Sequence, residues 1–229
     1  DTVHDDVLSR EQIESYDYVI TGDDAALHFV LDYRSELFSG TPVVFEGINS
    51  ESFAYEAAKD PLITGIVEAF PLEDTIRMAK GINPGATKVV GITDDSTSGK
   101  GSTQQFLDCA TDFPELSFST INCSTLTTDE IGKAMSSYSS DTILVYLLMS
   151  TDTNGNKYSV AQAVEYVASH ASVPVYKADE IGVGNGIMGG VGISYYDMAS
   201  DAASIVLELS NGADESTYTV HTASSYCVF

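Results

Sequence analysis

Short apolar runs alternate with helical spacings along most of the chain. Asp17 to Thr21 reads as a strand; Asp23 and Asp24 then signal a helix start, and Leu27, Val30 and Leu31 recur at helical spacing toward Leu37. Gly40, Thr41 and Pro42 break that helix, and Pro42 to Glu46 reads as the next strand. A short helix is expected over 51–60 and a strand over Gly65 to Glu68. Leu72, Ile76 and Ala79 share one helix face, with Glu73 and Asp74 in the first turn where the helix dipole favours acids. Asn83, Pro84 and Gly85 end it. The pattern then restarts. Lys88 to Thr93 is a strand, followed by the loop Asp94 to Gly99, a helix near 101–111 and a strand over Leu116 to Ile121. Thr127 and Glu130 match a capping box ahead of Ile131, Ala134 and Met135. Thr142 to Leu148 is continuously apolar, as in a strand covered on both faces. Val160, Ala163, Val164 and Val167 line a helix, and Val173 to Ala178 a strand. A glycine-rich stretch, Gly182 to Gly192, precedes a closing helix with Met198, Ala202, Ile205, Val206 and Leu209, ended by Asn211 and Gly212.

This alternation predicts an α/β fold with parallel sheets. The restart after Gly85 predicts two lobes, the first taking 1–86 plus about 190–215 and the second 87–187. Ligands of such sheets bind at the carboxyl ends of strands. Polar clusters fall at those ends: Thr21 to Asp24, Glu46 to Asn49, Asp94 to Gly99, and Ser150 to Asp152. The candidate ligand-binding set is Thr21, Asp23, Asp24, Glu46, Asn49, Asp95, Ser96, Thr97, Ser98, Ser150, Asp152 and Glu180. Each cluster alone also suits helix capping, since such loops are where capping residues belong.

Composition narrows the function. With 43% hydrophobic residues in 229, the chain is not disordered, and no disulfides are needed to hold a domain of this length. The longest apolar run, Ile143 to Met149, is far short of the ~20 residues of a membrane helix. No secretory signal opens the chain. A net charge of −24, with ten Lys and Arg scattered singly, excludes nucleic acid and disfavours anionic membrane surfaces. Cys109, Cys123 and Cys227 form no C-x-x-C or zinc spacing, and the four histidines make no metal pattern, so neither a metal nor a cofactor is expected.

Catalytic signatures fail one by one. Gly184 to Gly189 matches G-x-G-x-x-G, but the glycines lead into an apparent strand, Gly190 to Ser194, where a dinucleotide site requires a helix. Asp94 to Lys100 lacks the first glycine of a phosphate loop, and Gly101 stands where Ser or Thr belongs. No G-x-S-x-G elbow exists, and no cysteine has an identifiable base. Adjacent acids such as Asp23 and Asp24, or Asp94 and Asp95, are explained more simply by capping than by catalysis.

Residues Pro42 to Asn49 (PVVFEGIN) resemble the pattern PVVF-x-G-V-N of ABC-type extracytoplasmic solute-binding proteins. Tyr16 to Leu27 is similar to YDLII-x-x-DD-x-AL of the branch serving as sensor domains of membrane-bound signalling proteins. Gly65 to Glu68 with Pro84 and Gly85, then Pro174 to Tyr176, Gly186 to Gly190, Ser194, and the helix with Ala202 and Ala203 ending at Gly212, fit later blocks. The likeness covers roughly 16–215 and rests on the order of loose motifs.

The resemblance implies a periplasmic-binding-protein-like fold of two Rossmann-like lobes joined by a hinge and closing on a small solute, with no catalysis. Aromatic amino acids are among the family's ligands, so the resemblance implies a small-molecule partner, with an amino acid as one candidate. A transporter or a membrane-bound kinase or cyclase would be the protein partner, and a homodimer is open. The family normally opens with a further strand and helix; here only fifteen residues precede Tyr16, so the first sheet is expected to lack a strand and to expose an edge. The chain ends at Phe229 without a membrane helix, as in the excised ectodomain of a sensor; the full-length protein is expected outside the cytoplasm and membrane-anchored. An α/β enzyme acting on a small molecule in the same cleft is the alternative reading.

Overall fold

The computed structural model describes residues 2–9, 16–213, 218–222 and 226–228. They form two compact units. Unit 1 is Asp1–Glu68 with Tyr195–Ala223; unit 2 is Ala69–Ser194 with Ser224–Phe229.

Unit 1 carries α1 (Thr2–Ser9), β1 (Val19–Gly22), α2 (Asp23–Asp32), α3 (Arg34–Leu37), β2 (Val43–Ile48), α4 (Glu51–Ala57) and β3 (Ile63–Val67). After unit 2, α9 (Tyr195–Ser210) and β10 (His221–Thr222) complete it. The sheet runs β1-β2-β3-β10 with every neighbour parallel. β3 is buried along its whole length, as a strand covered on both faces must be. On one face Leu27 and Val30 of α2 and Ala54 and Ala57 of α4 pack with Val43, Phe45 and Ile63. α9 packs on β2 and β3, burying Met198, Ala202, Ile205 and Leu209 at helical spacing. Gly212 ends α9 with φ +90°, a left-handed position that glycine takes without a Cβ penalty. β1 is the edge strand, and its Ile20 is exposed.

Unit 2 carries α5 (Leu72–Ile82), β4 (Lys88–Thr93), α6 (Thr97–Asp108), β5 (Ser117–Asn122), α7 (Thr128–Ser136), β6 (Thr142–Tyr146), α8 (Val160–His170), β7 (Val175–Lys177), β8 (Ile187–Gly189), β9 (Val191–Ile193) and β11 (Tyr226–Val228). Its sheet, β5-β4-β6-β7-β8, is parallel throughout; β9 pairs antiparallel with β11. The pleat sorts the core. Val90, Ile92, Leu144, Tyr146 and Val175 meet α7 and α8 through Ile131, Met135, Ala163, Val164 and Val167. Their neighbours Val89, Ile143, Val145 and Tyr176 point the other way, to Leu72, Ile76 and Ala79 of α5 and Phe106 of α6. That packing is why residues 69–86, grouped with the first lobe in the sequence reading, fall in unit 2.

The glycine-rich stretch serves backbone packing. A Cβ on Gly190 would lie 1.9 Å from the carbonyl oxygen of Lys177, so only glycine lets this segment pass β7. Gly182, Gly184 and Gly186 all have positive φ, and strands β8 and β9 follow them.

Cys109 and Cys123 are free thiols. Burial, then Glu73 and Asp112, push the Cys109 thiol up to about 11; burial, then Asp94, push Cys123 up to about 12. The Cys227 side chain lies outside the described residues. At pH 8 both described thiols should alkylate at least about a hundredfold more slowly in the folded protein than in urea, because the thiolate is the nucleophile. Peptide-resolved labelling checks this, and equal rates would contradict it.

Candidate functional site

In unit 1, β1 runs directly into α2, and the turn is made at Asp23, whose φ of +74° makes it the one non-glycine residue in the left-handed region among the described residues. That conformation is uncommon outside glycine and costs energy, although Asp tolerates it better than most. It splits two adjacent carboxylates. Asp23 stays exposed, its Oδ1 accepting from the Asp24 amide at 2.7 Å. Asp24 turns inward and is fully buried. Its carboxylate accepts from the Asn49 amide (3.0 Å), Asn49 Nδ2 (3.1 Å) and the Ser50 amide (3.2 Å), clamping the start of α2 to the end of β2.

Three more groups gather at this sheet end. Asn49 Nδ2 also reaches Gly47 O at 3.3 Å and Glu68 Oε2 at 3.4 Å. Glu68, the residue after β3, is 5% exposed. Glu46 is half-buried; burial, then the Asp23 charge, raise its carboxyl above the ordinary value. A Cβ on Gly22 would lie 2.9 Å from Glu46 Oε1, so the missing side chain leaves room for that carboxylate. The Thr21 hydroxyl is buried and has no hydrogen-bond partner among the described residues. Four carboxylates therefore converge within one unit, and Glu46 forms no ion pair with a described residue. Such a place suits a cation better than an anion.

In unit 2, Asp94 organises the strand ends. It is 2% exposed; its Oδ1 accepts from the Ser96 amide (3.0 Å) and hydroxyl (2.5 Å), and its Oδ2 from the Ser150 amide (2.6 Å) and hydroxyl (2.5 Å). Burial alone would raise this carboxyl, but the bonds from Ser150 and Ser96 outweigh it and hold it below the ordinary range. Ser96 caps α6 by accepting from the Gly99 amide at 3.0 Å. Asp152 accepts from Thr128 Oγ1 (2.7 Å), Asn156 Nδ2 (2.8 Å) and the amides of Asn154 and Asn156 (2.9 and 3.0 Å), which place its carboxyl well below the usual range.

The sequence-derived candidates thus divide by environment. Asp24, Ser96, Ser150 and Asp152 bond within the chain and shape the strand-end loops. Asp23, Asp95, Thr97 and Glu180 are exposed, and Glu46 and Ser98 half-buried. Asp95 Oδ1 accepts from Asn122 Nδ2 at 2.9 Å. Two acidic groups were missed. Glu68 carries a signal, since it ends a strand of the same sheet as Glu46. Asp179, 3% exposed, pairs with the equally buried Lys177 at the end of β7; a lysine within an otherwise apolar strand was the clue.

Among the described residues no helix is long and apolar enough to cross a membrane, and no cluster of His, Cys, Asp or Glu is arranged to hold a metal. No curated protein matches the chain in sequence. In solved structures it is similar to an ABC domain in complex with L-Trp from Streptococcus pneumonia, with 16% identity, 97% of this chain and 76% of that one covered, and a TM-score of 0.71. It is also similar to a ligand-free, open substrate binding protein with adhesive properties from Clostridium difficile (14%, 99% and 75%, 0.66). The periplasmic binding protein of an arabinose ABC transporter from Shewanella sp. ANA-3, bound to arabinofuranose, shares the fold more distantly (12%, 98% and 78%, 0.58). These likenesses establish a periplasmic-binding-protein-like fold of two parallel-sheet α/β lobes. The family described as ABC transporter substrate binding protein matches residues 35–229, and the chain belongs to it: it is a solute-binding protein.

Proposed function

We propose that the solute of this protein carries a protonated amine, held at the strand ends of unit 1 by Asp23 and Glu46, with Asn49 and Glu68 behind them. The observation that supports this reading most is the Glu46 carboxyl, raised by burial and by Asp23. A cation beside it relieves both effects by adding an opposite charge. Such a solute, for example an amino acid, is closer to the L-Trp of the Streptococcus structure than to the sugar of the Shewanella one.

Binding without catalysis is part of this proposal. So are placement outside the cytoplasm and attachment of the full-length protein to the membrane. The family description favours a transporter as partner over a kinase or cyclase.

Calorimetry with an amino-acid panel and the matching N-acetyl derivatives tests the reading. The free amines should bind and the acetylated forms should not. Glu46→Gln should weaken binding about tenfold or more, since a hydrogen bond to a charged group is worth roughly 1.5–3 kcal/mol. Affinity should also fall as pH drops through the raised Glu46 value, above 4.5, because the proton then competes with the amine. A solute that binds equally well acetylated, with no dependence on Glu46, would refute the amine.

A further inference from the structure

Unit 2 carries a groove built from none of the strand-end candidates. It encloses about 390 Å³ on the outer side of α8 and is lined by Lys157, Tyr158, Gln162, Glu165, Tyr166 and Ser169. That volume is at the small end of the range for small-molecule sites.

Its two tyrosines are fixed from a single point. Tyr158 OH lies 2.6 Å from Thr128 Oγ1 and 3.3 Å from Asp152 Oδ2, and Tyr166 OH donates to Thr128 O at 2.6 Å. Both hydroxyls are thus held at the first residue of α7, and both rings are half-buried. Tyr166 is supported from behind by the His170 ring, 4.2 Å away between centroids. Gly132 is needed for this arrangement: a Cβ there would lie 2.7 Å from Tyr166 OH and 2.9 Å from His170 Cδ2. Rings held this way lose little freedom when a ligand stacks on them.

The rim is polar. Lys157 and Glu165 are exposed, and neither forms an ion pair with a described residue. The lining carries one cation, one anion, the Gln162 amide, whose oxygen accepts from the Ser159 amide at 2.9 Å, and the Ser169 hydroxyl, which donates to Tyr166 O at 2.9 Å. Donors and acceptors beside two tyrosine rings match a neutral polyhydroxylated ring. Its C–H faces pack on tyrosine, and its hydroxyls both donate to Glu165 and accept from Lys157. A second groove of about 410 Å³ lies on the other side of Glu165, lined by Ala161, Val164, Ile181, Gly182 and Asn185. It gives room for a neighbouring ring.

We propose that this face of α8 is a carbohydrate-binding site, distinct from the strand-end site, that takes one sugar ring over Tyr158 and Tyr166. The sugar comes either free or as part of a glycan chain. The test is an amide NMR titration of the full chain with glucose, N-acetylglucosamine, cellotriose, maltotriose and chitotriose. At least one probe should perturb amides within 157–169. Glu165→Ala, a surface change, should weaken that response about fivefold or more, as loss of a hydrogen bond to a charged group predicts. Tyr166→Phe, which keeps the ring and removes only the tether, should weaken it less. Glu46→Gln should leave it intact, which separates this site from the amine proposal. A trimer binding tighter than its monomer identifies a glycan chain as the source, and equal affinities identify free sugar. If no probe perturbs 157–169 at millimolar concentration, or if Glu165→Ala responds like the wild type, the site does not exist.

Discussion

Asp94→Ala is expected to lower the unfolding free energy by about 3–5 kcal/mol at neutral pH. The carboxylate is 2% exposed and accepts four hydrogen bonds, two from Ser96 and two from Ser150. Removing it leaves the two amides and two hydroxyls without their acceptor and frees the end of β6 from the end of β4. The effect has a definite pH sign. The folded-state carboxyl is lowered from 3.8, so its contribution is fully present above that value and is lost as pH falls through the folded value beneath it. Urea unfolding of wild type and variant should therefore differ most at neutral pH and converge in strong acid. Asp94→Asn should recover little, because its amide nitrogen would face donors. A cost below about 1 kcal/mol at neutral pH would show that the loop is held by other means.

Lys177→Met should be as damaging, and for a different reason. Lys177 and Asp179 are each 3% exposed and form an ion pair, with the ammonium 5.5 Å from the Tyr146 ring centroid. Removing the ammonium leaves the buried Asp179 carboxylate without its opposite charge, and breaking a buried pair in this way typically costs about 3–5 kcal/mol. The pair itself contributes much less, since its attraction is set against the loss of hydration of both ions. Lys177→Met combined with Asp179→Asn should thus be more stable than Lys177→Met alone, with Asn retaining an acceptor for the Ile181 amide, now 2.8 Å from Asp179 Oδ1. Chemical denaturation of the two single variants and the double variant closes the cycle. Additive losses would show that the pair is not coupled.

The elements were legible where a local pattern determines them. The continuous run containing β6 could only be a strand covered on both faces, and it is buried throughout. Thr127 and Glu130 form the capping box their spacing announces. Ser159 and Gln162 form another, which the apolar pattern alone did not reveal. The strand-end clusters were visible as composition, but their division of labour was not. Asp23 and Asp24 are identical in type and adjacent; the positive φ at Asp23 sends one outward and the other into the core. The clamp between Asp94 and Ser150 joins residues far apart in the chain, so no window of sequence contains it. The same holds for β11, a short segment that becomes a strand only by pairing with β9.

The most direct measurement is an amide NMR titration of the protein with amino acids, free and N-acetylated. The account predicts that a free amine shifts the amides of 21–24, 46–50 and 68 at the strand ends of unit 1, saturably, and that its acetylated form leaves them unmoved. If no amine perturbs those residues, or if the acetylated compound perturbs them equally, the strand-end carboxylates do not recognise an amine, and the central claim is contradicted.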